Sequence, residues 1–213
     1  MKLHSKPGKK YFLPIKTIAV LSIFLSIIVL MSFRFRNEST NSNKKNEVIN
    51  KDSVESVKAF MEVYKVLMSP RCMNCHPAGE IPLQGDDNRL HNMFPQRGKD
   101  GKGIYAMKCS NCHQPTNIEG LNTPPGHPNW HLPPANMKMV FQGRTANQLA
   151  KQLVNPKTNG NKTLQQLIEH ADDGLVKAGW NPGEGRTVPP MSHEEFKKAW
   201  IIWIKTGAYA PRP

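Results

Sequence analysis

One five-residue pattern occurs twice in the chain, as Cys72-Met73-Asn74-Cys75-His76 and as Cys109-Ser110-Asn111-Cys112-His113. No other cysteines are present, so any covalent constraint on the fold runs through these two patterns. Cys-x-x-Cys-His is the attachment pattern of a c-type haem. Two residues between the thiols let both sulfurs reach one edge of a macrocycle, and the next histidine presents its imidazole to the iron. The sequence therefore predicts two covalent haems of the c type. Cys72, Cys75 and His76 would hold one, and Cys109, Cys112 and His113 the other.

Two other uses of paired cysteines compete. A single structural zinc can take four thiolates from two Cys-x-x-Cys pairs. Here 33 residues separate Cys75 from Cys109, which is long for a compact zinc ribbon. Zinc also gives no reason for a histidine directly after each pair. A thioredoxin-like dithiol needs a βαβ setting, and no β alternation is visible in the chain. A zinc-held binding module stays as an alternative reading of the same residues.

The N-terminus reads as a targeting and anchoring segment. Residues 1–16 carry Lys2, Lys6, Lys9, Lys10 and Lys16 with no acid. Residues 17–33 form an apolar run near the shortest length that spans a bilayer. A cleaved signal peptide has a shorter apolar core followed by small residues. This run instead ends Met31-Ser32-Phe33-Arg34-Phe35-Arg36, which favours a transmembrane anchor over a signal peptide. The lysines hold the N-terminus in the cytoplasm and send the remainder into the periplasm. Residues 34–52, rich in Asn, Ser and Lys, bury no core and read as a flexible polar linker. The folded domain is expected over 53–213.

The net charge of +13 invites a nucleic-acid partner, but its distribution does not. Residues 1–36 hold seven Lys or Arg and no acid, leaving 22 basic against 16 acidic residues in the remainder. The propionates of two haems would bring that remainder close to neutral. Nor do basic residues interleave with aromatics in a nucleic-acid-reading pattern. The positive charge belongs to membrane topology, and no nucleic acid is expected as a partner.

Within 53–213 the apolar spacing is helical. Ser53 can cap a helix with Val54, Val57, Phe60, Met61, Tyr64, Leu67 and Met68 on one face, ended by Pro70. Gly101 and Gly103 break the chain before the second pattern, where Ile104-Tyr105-Ala106-Met107 suits a short helical turn. Thr145-Ala146-Asn147-Gln148 and Thr163-Leu164-Gln165-Gln166 are capping boxes. They open helices through Val154 and to about Asp172, the second stopped by Gly174. Ser192-His193-Glu194-Glu195 opens a last helix with Phe196, Ala199, Trp200, Trp203 and Ile204 on one side. Gly120 to Pro134 and Trp180 to Pro190 are Pro- and Gly-rich loops. The predicted fold is mainly α, with c-type cytochrome-like helices and long loops around two covalent haems, preceded by one transmembrane helix. The connector between the patterns is short and polar, so the first haem must borrow cover from the C-terminal half.

Each iron has a second axial position. Met or His there gives an electron-transfer centre, and an open face allows peroxide chemistry. For the first haem the candidate is His91, fifteen residues after His76, with Met93 beside it. For the second, His131 in Trp130-His131-Leu132-Pro133-Pro134, Met191 before the last helix, and Met139 or Met137 all qualify. His127 and His170 read as surface residues, and His193 as part of the last helix.

With these pieces placed, residues 70–213 resemble a family of short dihaem c-type cytochromes. The resemblance rests on Arg71-Cys72-Met73-Asn74-Cys75-His76-Pro77, Pro82-Leu83-Gln84-Gly85-Asp86-Asp87, Arg97-Gly98 with Asp100-Gly101, and Cys109 to Gln114. It continues through Pro124-Pro125-Gly126, Pro128-Asn129-Trp130-His131-Leu132-Pro133-Pro134 and Met139-Val140-Phe141-Gln142-Gly143. That family is often labelled a subunit of isoquinoline 1-oxidoreductase. The resemblance implies a cytochrome, not itself an enzyme, that receives electrons from a molybdenum-containing dehydrogenase of the hydroxylase type. A membrane-anchored electron carrier is the expectation. A dihaem peroxidase or reductase with one open iron is the alternative within the same cofactor class.

Overall fold

The structure, a computed structural model, describes residues 29–32 and 51–213. The chain divides into two compact units, Met1–Asn50 and Lys51–Pro213. In the first unit, residues 29–32 form a helical turn with exposed Val29, Leu30 and Met31. The basic flank 1–16, most of the anchor 17–33 and most of the linker 34–52 lie outside the described residues. Among the described residues no helix is long and apolar enough to cross a membrane.

The second unit is mainly helical with little strand. Helix α1 runs over 51–67, followed by α2 at Pro70–Met73. Two short hairpins come next, β1 Leu83–Gln84 with β2 Arg89–Leu90, and β3 Gly103–Ile104 with β4 Met107–Lys108. Helices α3 Ala146–Val154, α4 Leu164–His170, α5 Gly174–Ala178 and α6 His193–Lys205 complete the unit.

The three expected capping boxes are present at Thr145, Thr163 and Ser192. Each side chain accepts from the backbone N–H three residues on, and Gln148, Gln166 or Glu195 reaches back. Each such cap is worth about 1 kcal/mol. These helices bury their apolar stripes together with α1. Phe60 packs on Trp203 with centroids 4.7 Å apart, and the aromatic row continues through Trp200 and Phe196 to Trp180. A buried indole N–H needs a partner. Trp200 donates to the Leu167 carbonyl and Trp203 to that of Tyr209, which ties α6 to α4 and to the C-terminal tail.

Four local expectations change. Helix α1 is already under way at residue 51, so Ser53 lies inside it instead of capping it. Its buried face is Ser56, Ala59, Phe60, Val63, Val66 and Leu67, while Val54 and Met61 are exposed. The face turns because Ser56 is accommodated in the core: its hydroxyl donates to the Trp203 carbonyl and accepts from Tyr209 N–H. The segment 104–107 is a hairpin turn and not a helical one, with Tyr105 at φ 46° and Gly103 at φ 85°. Finally, Gly174 opens α5, because the Asp173 carboxylate accepts from Leu175 N–H and caps it.

The polar connector is organised by Arg97, whose side chain is fully buried. Its guanidinium donates to the carbonyls of Pro133 (2.6 Å) and Gly79 (3.2 Å), and its backbone joins Glu80 and Gly103. This one residue ties the segment after the first motif to the proline-rich loop and to the approach of the second. Leu132 N–H donates to the Gly101 carbonyl, and a side chain at Gly101 would run into the Leu132 backbone.

Candidate functional site

Both motifs fold as a single helical turn. Pro70 starts α2 with a preset φ, and the turn continues as Cys75 N–H donates to the Cys72 carbonyl and His76 N–H to that of Met73. The second motif forms a 3₁₀ turn over Cys109–Asn111, with Cys112 N–H and His113 N–H both donating to the Cys109 carbonyl. Residues three apart on a helical turn are neighbours on one face. Each cysteine pair therefore shares a side of its turn, with the histidine one residue further on. All four thiols are free. Burial pushes Cys72 up to about 12 and Cys75 up to about 11, and raises Cys109 as well, so these are neutral thiols.

The two histidines are held in matching ways. His76 Nδ1 lies 2.7 Å from the Met139 carbonyl, and its ring stacks on Phe141 at 3.9 Å and 9°. His113 Nδ1 lies 2.7 Å from the Pro125 carbonyl, and its ring stacks on Trp130 at 4.2 Å and 9°. A carbonyl can only accept, so the proton sits on Nδ1 and the Nε2 lone pair is left free in both rings. A histidine bound to a metal is oriented in this way, by giving its other ring N–H to a carbonyl or carboxylate. Burial lowers His76 to about 4 and lowers His113 in the same direction, which keeps both imidazoles neutral.

The candidate distal residues fall into distinct settings. His91 and His131 share the ligand-ready tautomer, with Nδ1 against the carbonyls of Asn92 (2.6 Å) and Asn129 (2.7 Å). The His91 ring lies 6.2 Å from that of His113, so the residue expected beside the first motif sits at the second. The cause is the β1–β2 hairpin: His91 N–H donates to the Pro82 carbonyl directly after it. Met93 is exposed at the adjoining turn, with φ 64°. Met139 gives its carbonyl to His76, while its sulfur accepts from Gln152 Nε2 at 3.2 Å. Met191 packs against the core, and its carbonyl accepts from Trp180 Nε1. Met137 is half-buried in the loop before α3.

The other histidines among the described residues have different settings. His127 Nδ1 accepts from Asn129 N–H, the opposite tautomer, and His193 Nε2 is tied to the Ala171 carbonyl. His170 is exposed, with Nδ1 3.7 Å from the Asp173 carboxylate.

Two buried guanidinium groups flank the first motif and escaped the sequence reading as site residues. Arg71 reaches the Gly85 carbonyl and the Asp86 carboxylate, and Arg97 is held as described above. The Nε of each is buried without a hydrogen-bond partner, although Arg97 Nε lies 3.5 Å from Glu80 as an ion pair. Unsatisfied buried N–H groups on a cation suit an anion. The only signal in the sequence was that Arg71 and Arg97 belong to the segments carrying the family resemblance.

These features fit a covalent haem at each motif: two cysteines on one turn, an imidazole with Nε2 free, and, at the first, the buried Arg71 Nε without a hydrogen-bond partner, suited to a propionate. Among the described residues no group of three or more His, Cys, Asp or Glu side chains gathers as a metal-holding set. The chain matches no protein-family model, no curated protein and no solved structure.

Proposed function

We propose that this chain is a membrane-anchored dihaem c-type cytochrome that carries electrons outside the cytoplasmic membrane. The observation that carries the reading is the matched setting of His76 and His113, each with Nδ1 on a backbone carbonyl and its ring flat on an aromatic. Cys72 and Cys75 would hold one haem with His76 on its iron, and Cys109 and Cys112 the other with His113. Each haem, when bound, supplies an iron that takes one electron from a reduced donor protein and gives it to an oxidised acceptor.

The protein's part is orientation and environment. The Met139 and Pro125 carbonyls fix the tautomer, Phe141 and Trp130 fix the ring planes, and burial keeps both imidazoles neutral. Arg71 and Arg97 offer buried positive charge to propionates at the first site. The apolar segment 17–33 serves as the anchor, with the domain in the periplasm. Tethering keeps it at high local concentration near partners in the same membrane. The family resemblance supports a molybdenum-containing dehydrogenase as the donor.

The experiment is the haem-to-protein ratio by pyridine haemochrome, on protein expressed with c-type maturation and stripped of non-covalent haem by denaturation. The expected result is two haems per chain. A ratio near zero despite working maturation rejects the proposal and returns attention to zinc.

A further inference from the structure

We infer that His91 is the second axial ligand at the second motif, with the iron lying between the imidazoles of His91 and His113; this rests on the dihaem reading above. The argument starts from a spacing. Two imidazoles joined by a hydrogen bond have nitrogens about 2.9 Å apart, which puts their ring centroids roughly 5 Å apart. One metal between them, about 2 Å from each nitrogen, puts the centroids roughly 6 Å apart. The observed separation is 6.2 Å with the planes 59° apart. That is too long for a hydrogen bond and unlike the parallel stacks His113 makes with Trp130 or His76 with Phe141.

The tautomers agree with the spacing. His91 gives Nδ1 to the Asn92 carbonyl and His113 gives Nδ1 to that of Pro125, so each ring keeps a free lone pair at Nε2. Each imidazole thus keeps one nitrogen able to ligate an iron set between the two rings. The β1–β2 hairpin delivers His91 to this position and Asn92 N–H is fastened to the Gln84 side chain, so the placement is held from both sides. The consequence is cross-bracing: the segment after the first motif supplies a ligand to the haem of the second.

The test is the spin state of the full-length ferric holoprotein carrying His91→Ala, read by electron paramagnetic resonance with haem content counted alongside. The expected result is two covalent haems per chain, one of the two irons converted from low to high spin, and recovery of low spin on adding free imidazole. An unchanged low-spin spectrum with both haems retained overturns the pairing and leaves the dihaem reading standing. A wild-type chain without covalent haem overturns that reading and the pairing with it. Where His91→Ala gives no holoprotein, His91→Met decides, because methionine in place of histidine raises a haem potential. A rise at one of the two haems supports the pairing, and two unchanged potentials overturn it. In a chain also carrying Cys72→Ala and Cys75→Ala, His91→Ala should turn all remaining iron high-spin, and low-spin iron there overturns the assignment to the second motif.

Discussion

The imidazole of His76 lies flat on the ring of Phe141, 3.9 Å away and 9° from parallel, on a residue 65 positions later in the chain. His113 repeats the arrangement with Trp130. The two stacks differ in depth. Phe141 is almost wholly buried within the main core cluster, whereas Trp130 sits half-buried in the proline-rich loop. Phe141→Ala should therefore cost about 3–5 kcal/mol of unfolding free energy, the range for emptying a buried aromatic site. Trp130→Ala should cost less than half as much, while disturbing the His113 environment more than overall stability. Denaturant titrations of the two variants, run side by side, check the ordering; equal losses would mean the Trp130 loop is as much part of the core as Phe141.

Arg97 is the polar counterpart of Phe141. Its side chain is fully buried and its donors go to the Pro133 and Gly79 carbonyls. Arg97→Met fills much of the space but leaves both carbonyls without donors, at about 1–3 kcal/mol for each group left unsatisfied. Glu80, at 3.5 Å from Arg97 Nε and also paired with Lys138, is half exposed. Glu80→Gln should change stability by less than about 1 kcal/mol, as for a solvent-screened pair. A large loss at Glu80 with none at Arg97 would reverse this account of what holds the connector.

Helix caps and the two motifs were legible in the sequence because their signals are complete within five residues. A Thr or Ser followed three places later by Gln or Glu and then by helically spaced apolar residues marks a cap, and Thr145, Thr163 and Ser192 all behave so. The facing of α1 was not legible, because Ser56 is buried only through partners at Trp203 and Tyr209. The same holds for Arg97, whose partner Pro133 lies 36 residues away, and for the stacks under His76 and His113. His91 was recognisable as a candidate ligand, yet which of the two motifs it lies beside depended on where a two-residue ladder aimed the chain. Spacing along the sequence says which groups can bind a metal, and folding over tens of residues says which of them meet.

The last helix carries a pH-dependent cap. Glu195 accepts from the Ser192 hydroxyl at 2.7 Å and from its backbone N–H at 2.8 Å, and the hydroxyl comes first among the causes holding its carboxyl below the ordinary glutamate range. A folded pKa below the unfolded one adds stability that is fully present above the unfolded value, about 4.3. It is lost as pH falls through the lower folded value. Glu195→Gln keeps an oxygen for the capping box, as Gln148 and Gln166 do at the other two helices, but removes the titration. The variant should be less stable than the wild type at neutral pH, with the gap closing below about pH 4. Urea midpoints for both proteins across that range give the answer, and a gap that is constant with pH would show that the charge contributes nothing.

Gly101 joins the second motif to the loop that carries Trp130 and His131. Its φ is 79°, its carbonyl accepts Leu132 N–H, and an added Cβ would collide with the Leu132 backbone. Gly101→Ala therefore combines a left-handed backbone, about 1–2 kcal/mol for a residue with a Cβ, with displacement of the 130–132 segment. Because Trp130 is stacked on His113, the displacement reaches the second Cys-x-x-Cys-His motif, while His76 is braced by Phe141 and Met139 from another segment. The expected outcome in holoprotein is a lowered Tm together with a shift in the reduction potential of one haem only. A potentiometric titration resolving the two haems checks this. Equal shifts at both would show that the two histidine settings, separate in their contacts, respond as one unit.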